Sequence, residues 1–275
     1  MNRPDKIVIF DYSGTLSIES PRFARPENLI RALEESGLFS LGVTTPEIFW
    51  EKIVNPTWFE GSTTAIGYKR IMAERIEALG LASGTAAAEI RAAASRFVDG
   101  FLYHSRIDPH WRPLLERLTG HSGAAVIVAT DHYAELTGTI IRYLSAWNIP
   151  ALKAAGEEAD PRFPFLVANS SDIGFWKTDL RFWEVLRSQF PPATIRSVLI
   201  IDDFGFNEDK GDRYGERSGI EMRREKTTAV LEDVFQACIE VVPFYLNGGE
   251  HEDKPGLRIA ETEERIGRFL DPVNR

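Results

Sequence analysis

Cysteine, net positive charge and long apolar runs are what this 275-residue sequence lacks. Cys238 is the only cysteine, which excludes an intrachain disulfide and a cysteine-built zinc site. The 32 basic and 41 acidic residues give a net charge of −9, which argues against binding to a nucleic-acid backbone. No apolar run is long enough to span a membrane, and no apolar signal region precedes the first predicted strand. We therefore expect a cytoplasmic protein that binds neither nucleic acid nor membrane.

The composition is otherwise that of an ordinary globular protein, with 43% hydrophobic and 27% charged residues. A chain of 275 residues is long for one core and suits a main domain with an insert. A small phosphorylated substrate stays compatible with the acidic balance, because a local site can be positive within an acidic protein. Nothing in the composition indicates an oligomeric state.

The first predicted strand ends in an acid. The run Lys6–Phe10 is β-branched and apolar, Asp11 follows it directly, and Gly14 ends it in a turn. Asp11 then lies at the carboxyl end of a strand, where open α/β sheets form their binding crevices. Because a buried acid needs a cation or hydrogen-bond donors, Asp11 is a candidate nucleophile or metal ligand.

The region from 21 to 104 has helical periodicity and no clear strand pattern. Helices are predicted from Pro26 to the residue before Gly37, from Pro46 onward, from about Thr64 to Leu79 and from Ala86 to Tyr103. We expect the stretch Trp58–Gly61 to form a loop that faces the substrate. The whole region is predicted to be a helical insert between two strands of the main domain.

Two further predicted strands end in polar residues. The strand Gly123–Ala129 leads into Thr130, and the run Ser197–Ile201 leads into Asp202 and Asp203. Two adjacent carboxylates at a strand end repel each other unless a divalent cation joins them, and hard oxygen ligands favour Mg²⁺. Thr130 alone is equally compatible with a helix cap.

The remaining segments complete an alternation of helices and strands. Lys177 comes just before a predicted helix, with Thr178 or Asp179 as the helix cap. Lys153 is the other lysine that could serve as a basic site residue, but it lacks this position at a helix entry. A further strand is predicted at 163–168, and an extended polar loop without assigned function at 209–224.

Taken together, Asp11, Thr130, Lys177 and Asp203 resemble, in this order, the four signatures of the haloacid dehalogenase superfamily. The resemblance implies an α/β fold, with a Rossmann-like, mainly parallel sheet in a three-layer α/β/α core. It also implies that residues 1–16 and 109–275 form this core and that residues 17–108 form an inserted helical cap domain of the C1 type. Within this fold, residues 240–246 would form a late strand and residues 258–270 a closing helix.

The same resemblance implies a Mg²⁺-dependent phosphatase that acts on a small phosphorylated metabolite. Asp11 would attack phosphorus and form an aspartyl phosphate, while Thr130 and Lys177 stabilise the phosphoryl oxygens. The implied metal ligands are Asp11, the backbone carbonyl of Ser13, Asp202, Asp203 and Asn207, with Glu208 as the alternative to Asn207. The implied substrate contacts are Tyr12, Gly14, Thr130, Asp131, Lys177 and Lys52.

One residue departs from the family pattern, because Ser13 replaces the second Asp, which serves as the general acid and base. A serine hydroxyl titrates too high for that work near neutral pH. A good leaving group that needs no acid, or a replacement group such as His104, His110 or His132, would preserve turnover. Two alternative functions stay open. One is carbon–phosphorus hydrolysis of the phosphonoacetaldehyde hydrolase kind, with a Schiff base on Lys52 or Lys69. The other is a catalytically degenerate protein that only binds a phosphorylated metabolite.

Overall fold

The computed structural model of the chain describes residues 4–154, 165–191, 194–209, 211–246 and 254–271. Six strands form one sheet, and all of their pairings are parallel. The strands are β1 (Lys6–Phe10), β2 (Ala124–Thr130), β3 (Ala151–Lys153), β4 (Phe165–Asn169), β5 (Ser197–Asp202) and β6 (Cys238–Pro243). Their order across the sheet is β3-β4-β2-β1-β5-β6, which places β1 between β2 and β5.

Helices cover both faces of this sheet, which explains why its central strands are apolar along their whole length. Every residue of β2 is buried, and Ile7 to Phe10 of β1 are fully buried. One core cluster lies on each face: Val8 and Phe10 belong to one, and Ile7 and Ile9 belong to the other. The predicted α/β fold with a mainly parallel, Rossmann-like sheet between helical layers is confirmed.

The α-helices account for most of the remaining described residues. They are α1 (Glu19–Phe23), α2 (Pro26–Ser36), α3 (Asn55–Thr63), α4 (Tyr68–Ala78), α5 (Ala87–His104), α6 (Arg112–Thr119), α7 (Glu135–Ala146), α8 (Ser170–Ile173), α9 (Leu180–Arg187), α10 (Arg217–Phe235) and α11 (Pro255–Leu270). A π-helical stretch spans Ile48–Val54, and short 3₁₀ turns lie at Phe39–Leu41, Pro109–Trp111 and Arg213–Gly215. No helix in the described ranges has the length and apolar character needed to cross a bilayer.

Residues 19–104, here called the helical segment, connect β1 to β2 and contain α1 to α5. Its helices pack on one another through apolar residues such as Met72, Ile76, Ala94 and Phe97. The prediction of a helical insert in this position agrees with these elements, whereas the division into a core of 1–16 and 109–275 and a C1-type cap of 17–108 stays a prediction.

Several predicted boundaries in the helical segment were wrong. The stretch Trp58–Gly61 lies inside α3 and does not form a loop, and the next helix begins at Tyr68 instead of Thr64. The π-helical stretch continues directly into α3, with Pro56 in its first turn, where proline is tolerated. The glycine at 61 obscured this helix in the sequence, but a buried contact with the Tyr133 ring requires a small residue there.

The polar stretch at 209–224 was only partly a loop, because α10 begins at Arg217. Only four of the 19 residues of this helix are buried, so its apolar periodicity is weak and its charged composition resembles that of a loop. A sparse row of buried residues, Ile220, Thr227, Leu231 and Phe235, nevertheless holds it on the protein. The strand predicted at 163–168 is present from Phe165, and its first two positions lie outside the described residues.

Candidate active site

Three neighbouring strands bring polar residues to one edge of the sheet. Asp11 directly follows β1, Thr130 ends β2 and Asp202 ends β5, with β1 in the middle. Because parallel strands all point the same way, their carboxyl ends meet at this edge. All three side chains are buried, and Asp203 beside them is also buried. The sheet itself therefore gathers the predicted residues.

Lys177 supplies the positive charge of this group. Its Nζ donates to Asp11 Oδ1 at 2.6 Å and to Asp202 Oδ2 at 2.7 Å, and the side chain is only 3% exposed. The backbone N–H of Lys177 donates to Asp131 Oδ1 at 2.9 Å, and its carbonyl oxygen accepts from Trp183 Nε1 at 2.6 Å. These two contacts hold the backbone of Lys177 in a position from which its side chain reaches Asp11 and Asp202. We call Asp11, Lys177, Asp202 and Asp203 the strand-end cluster.

The turn after β5 donates backbone N–H groups to the two adjacent carboxylates. The N–H of Phe204 donates to Asp202 Oδ1 at 2.6 Å, and those of Gly205 and Asn207 donate to Asp203 at 3.1 and 2.7 Å. Such donors stabilise carboxylates that are buried away from water. The turn therefore orients both side chains before any ligand binds.

Gly14 is required by the close approach of the turn after β1 to this cluster. Its backbone φ is +74°, a left-handed conformation that favours glycine. A Cβ at this position would lie 2.6 Å from Asp203 Oδ2. The turn can therefore lie against Asp203 only because position 14 has no side chain.

Burial shapes the proton affinities in the cluster. Burial raises the pKa of Asp11 well above its usual range, and the attraction of Lys177 offsets only part of this rise. Burial, together with repulsion from Glu208 and Asp202, does the same to the pKa of Asp203. Burial alone would lower the pKa of Lys177, but the carboxylates of Asp11 and Asp202 outweigh it and raise that pKa. The single positive charge of Lys177 therefore neutralises only part of the negative charge of the three carboxylates in the cluster.

The missing positive charge fits a divalent cation. Carboxylate oxygens of Asp11, Asp202 and Asp203 lie within 4.8 Å of one another, and all three residues are buried. Mg²⁺ binds through a few carboxylate oxygens and retains water molecules in its remaining positions. The oxygen-only donor set and the excess of buried negative charge both match this ion, so the cluster is a candidate metal centre.

A comparison with solved structures identifies the fold. The 2-haloacid dehalogenase from Pseudomonas syringae pv. Tomato DC3000 aligns over 96% of this chain and 99% of its own, with 19% identity and a TM-score of 0.52. The chain has the haloacid dehalogenase fold. An enzyme of the HAD family from Bacteroides thetaiotaomicron aligns over 90% and 97% of the two chains, with 12% identity and a TM-score of 0.49.

Other comparisons add little to this. A predicted phosphoglycolate phosphatase from Haemophilus somnus 129PT aligns over 80% of this chain and 83% of its own, with 15% identity and a TM-score of 0.37. No family model matches the sequence, and no curated protein is similar to it. The haloacid dehalogenase fold is thus established from structure, and the chemistry has to be argued from the site.

Ser13, the departure from the family pattern, is hydrogen-bonded to a carboxyl group. Its Oγ donates to Glu208 Oε1 at 2.6 Å and lies 3.0 Å from Ser20 Oγ. Burial, followed by repulsion from Asp212, raises the pKa of Glu208 to about 8. A carboxyl group from the loop after β5 therefore contacts Ser13 in the turn after β1.

A cavity of about 760 Å³, including its open mouth, lies in front of the cluster. Asp11, Ser13 and Thr130 form its polar floor, and rings from the helical segment and the core form most of its walls. These rings belong to Phe23, Phe49, Trp50, Trp58, Tyr68, Phe97, Phe101, His132, Tyr133 and Tyr214. The cavity lining therefore combines polar groups at the strand ends with a largely aromatic wall.

Three residues predicted at the site have other roles in the structure. Tyr12 is fully buried and its hydroxyl donates to the carbonyl oxygen of Ser105, so its side chain does not reach the cavity. The Asn207 carboxamide donates to two backbone carbonyls, of Gly14 and Phe244, at 2.8 Å each, and accepts from Leu246 N–H. Asn207 therefore joins its own loop to the loops after β1 and β6, and its role as a metal ligand stays a prediction.

Lys52 is also not brought to the site, because it is exposed and does not line the cavity. It lies on the π-helical stretch, whose buried residues Phe49, Trp50, Ile53 and Val54 face inward. Lys69 pairs with Asp99 at 2.5 Å. Neither lysine is positioned for the Schiff base of carbon–phosphorus hydrolysis.

Asp131 and His132 both line the cavity. Besides holding the Lys177 backbone, Asp131 accepts from the Tyr214 hydroxyl at 3.4 Å, and burial raises its pKa to about 6. Burial lowers the pKa of His132 to about 3, so this imidazole is neutral near pH 7. The substrate role predicted for Asp131 remains a prediction, with an added structural role that sequence did not indicate.

Sequence reasoning missed most of the cavity wall. Tyr68, Tyr133, Asp212 and Tyr214 line it but belong to no motif. The only available signal was the number of aromatic residues in the predicted helices, which is equally typical of packing.

Proposed function

We propose that this protein is a Mg²⁺-dependent hydrolase of the haloacid dehalogenase superfamily that removes the phosphoryl group from a small phosphorylated metabolite. The observation that carries this proposal is the cluster of Asp11, Asp202 and Asp203 oxygens within 4.8 Å, in which Lys177 is the one basic partner among the residues that the structure describes. Three buried carboxylates with one lysine need a further cation, and a phosphoryl group needs the positive charge that the cation and lysine supply together.

Asp11 is the proposed nucleophile. One carboxylate oxygen attacks phosphorus, the bond between phosphorus and the leaving oxygen breaks, and the leaving oxygen takes the electron pair and a proton. Water then attacks phosphorus in the aspartyl phosphate, which releases inorganic phosphate and restores Asp11. Lys177 is placed to bind a phosphoryl oxygen and to keep Asp11 ionised, and the Thr130 hydroxyl is placed to donate to another.

The metal site would be formed by Asp11, Asp202 and Asp203, with the Ser13 carbonyl oxygen as a further predicted ligand. When bound, Mg²⁺ neutralises charge on the phosphoryl oxygens. The proton of the leaving group needs a carboxyl group near Asp11, and Glu208 lies there with its Oε1 2.6 Å from Ser13 Oγ. We assign to Glu208 the work of the family's second Asp on the basis of this position.

Dehalogenation is the competing reaction, because the 2-haloacid dehalogenase from Pseudomonas syringae has the same fold. The concentration of buried carboxylates favours the phosphatase, since an attack by Asp11 on carbon has no need of a metal-binding cluster. Both reactions use Asp11, so a test has to compare substrates.

The test is hydrolysis of p-nitrophenyl phosphate with Mg²⁺ or with chelator, beside chloride release from 2-chloropropionate. We expect phosphate release that requires Mg²⁺ and that is lost in Asp11→Asn. Metal-independent chloride release without phosphate release would overturn the assignment in favour of a dehalogenase. Tight binding of phosphate without turnover of any substrate would instead establish a degenerate binding protein.

A second test addresses Glu208, whose carboxyl group can be removed by Glu208→Gln while an acceptor for Ser13 is retained. We expect kcat for an alkyl phosphate, a poor leaving group, to fall about 10²-fold. The fall for p-nitrophenyl phosphate should be much smaller, because that leaving group needs little protonation. Equal losses for both substrates would contradict an acid role and indicate that Glu208 only positions Ser13.

A further inference from the structure

The polar stretch after β5, which the predicted motifs leave without a function, reaches across to the helical segment. Asn55 Nδ2 donates to the carbonyl oxygen of Gly211 at 3.3 Å, and the Arg213 N–H donates to Asn55 Oδ1 at 3.3 Å. This pair of hydrogen bonds fastens the stretch to α3. Asp212 and Tyr214 are thereby placed in the wall of the cavity.

The rings around this part of the cavity stand at steep angles to one another. The Trp58 ring lies 5.2 Å from that of Tyr133 at 89° and 6.0 Å from that of Tyr214 at 60°. Tyr68 stacks on Tyr133 at 3.8 Å. Organic ammonium groups are bound in proteins by several aromatic rings that surround the positive charge. The arrangement provides rings in more than one orientation.

The charged side chains of the wall are acidic. Glu208 and Asp212 line the cavity, while no lysine or arginine does so among the residues that the structure describes. Arg223 lies behind Tyr214, 4.2 Å from its ring centroid, donates to the Tyr214 carbonyl oxygen, and offsets part of the charge of Asp212. His132 is neutral, as described above.

These charges discriminate between leaving groups. A second phosphate or a carboxylate on the leaving group would be repelled by the carboxylate of Asp212. A wholly apolar leaving group would remove water from Asp212 without replacing it by any partner. A positively charged group satisfies Asp212 and the rings at the same time.

An unpartnered hydroxyl supports a polar ligand here. Tyr133 is 4% exposed and lines the cavity close to the side chains of Tyr68 and Thr57, and its Oη has no partner of good hydrogen-bond geometry within the described ranges. Burial, followed by the charge of Asp212, raises the pKa of this hydroxyl, which places Asp212 near it. A ligand N–H or a polarised C–H group can donate to this oxygen.

We propose that the leaving group of the substrate carries a positively charged ammonium centre, held between the aromatic rings of Trp58, Tyr133 and Tyr214 and the carboxylate of Asp212. This substrate class rests on the proposed phosphatase function. Primary and quaternary ammonium groups share the required chemistry, and the substrates tested distinguish them.

The test compares each ammonium substrate with an uncharged partner that has carbon in place of nitrogen. Phosphocholine is paired with 3,3-dimethylbutyl phosphate, and phosphoethanolamine is paired with propyl phosphate. We expect kcat/KM to be at least about tenfold higher for the charged member of one or both pairs. Equal or faster hydrolysis of the uncharged members overturns the inference. Turnover of p-nitrophenyl phosphate alone also overturns it, while leaving the phosphatase function intact.

If no phosphate ester is hydrolysed, a binding measurement tests the ammonium subsite separately from the phosphatase function. Calorimetry on Asp11→Asn with Mg²⁺ should then still show phosphocholine binding at least about tenfold more tightly than 3,3-dimethylbutyl phosphate. That result would retain the ammonium subsite and reject the phosphatase. Equal affinities would reject the ammonium subsite itself.

Asp212→Asn tests the residue most specific to this wall. Asparagine can still accept from the Tyr214 N–H, as Asp212 does at 2.8 Å, so the loop should keep its shape. We expect the ratio of kcat/KM for phosphocholine to that for its uncharged partner to fall at least about fivefold. Glu216→Gln, an exposed position on the same loop outside the cavity, is the matched control and should leave the ratio unchanged.

Discussion

The strand-end cluster and the cavity wall above it differ in how far their buried polar groups are hydrogen-bonded within the protein. In the cluster, Lys177 contacts two carboxylates directly, and the turn after β5 donates three backbone N–H groups to the acids. In the wall, the Trp50 Nε1 and Tyr133 Oη atoms are buried without a hydrogen-bond partner in the described residues. The contrast indicates that internal hydrogen bonds preorganise the cluster for one kind of chemistry, whereas polar atoms of the wall can still form hydrogen bonds with a ligand.

The largest expected effect comes from the nucleophile. Asp11→Asn should lower kcat for p-nitrophenyl phosphate by at least about 10³-fold, because the amide cannot attack phosphorus. Steady-state kinetics with Mg²⁺ measures this, and circular dichroism confirms that the variant is folded. Retention of more than a tenth of the activity would contradict the role of Asp11 as nucleophile. It would also contradict the assignment of the chemical step to the cluster and not to the wall.

Removal of the lysine should affect stability most. Lys177→Met leaves the carboxylates of Asp11 and Asp202 buried without their positive partner, and we expect a loss of about 3–5 kcal/mol in the free energy of unfolding. Urea denaturation in chelator measures this loss.

Lys69→Met is the matched control for that measurement, because its ammonium group pairs with Asp99 on the protein surface. A surface pair of this kind contributes less than about 1 kcal/mol. Similar losses for the two lysine variants would show that the strand-end cluster is not electrostatically special.

Metal binding should stabilise the cluster. At a Mg²⁺ concentration of about 100 times the dissociation constant, the free energy of unfolding should rise by about 2.7 kcal/mol. Thermal unfolding with Mg²⁺ or chelator measures the shift, which should be much smaller in Asp203→Asn. An equal shift in both proteins would locate the bound Mg²⁺ elsewhere.

The wall should give the smallest effect and a different kinetic signature. Trp58→Ala removes a cavity-lining ring, so KM for p-nitrophenyl phosphate should rise about tenfold while kcat changes little. Its neighbour on α3, Phe59→Ala, is the control, because Phe59 is 66% exposed and does not line the cavity. A loss confined to kcat in Trp58→Ala would place this ring in the chemical step instead.

The sequence predicted the cluster much better than the wall, for a physical reason. Asp11, Thr130 and Asp202 follow apolar strands, and a parallel sheet brings such residues together without any other information. Lys177 could be ranked above Lys153 only through its helix context. The cluster thus depends on local patterns together with one rule of topology.

The wall depends on packing between distant parts of the chain, which no local pattern encodes. Trp58 lies on a helix that its glycine obscured, and Tyr214 lies in a stretch too polar to indicate an active-site role. Lys52 had a plausible position in the sequence, but the π-helical stretch turns Phe49 and Trp50 inward and leaves that lysine exposed. Asn207 matched the position of a metal ligand, and its carboxamide is hydrogen-bonded to backbone groups of the loops after β1 and β6.

The most direct test is a crystal structure with Mn²⁺ in place of Mg²⁺, since manganese gives an anomalous signal and accepts the same oxygen ligands. We predict one strong anomalous peak within bonding distance of carboxylate oxygens from Asp11 and Asp203. Fully occupied Mn²⁺ at another position, with Lys177 still bridging Asp11 and Asp202 and no peak between the carboxylates, would contradict the account.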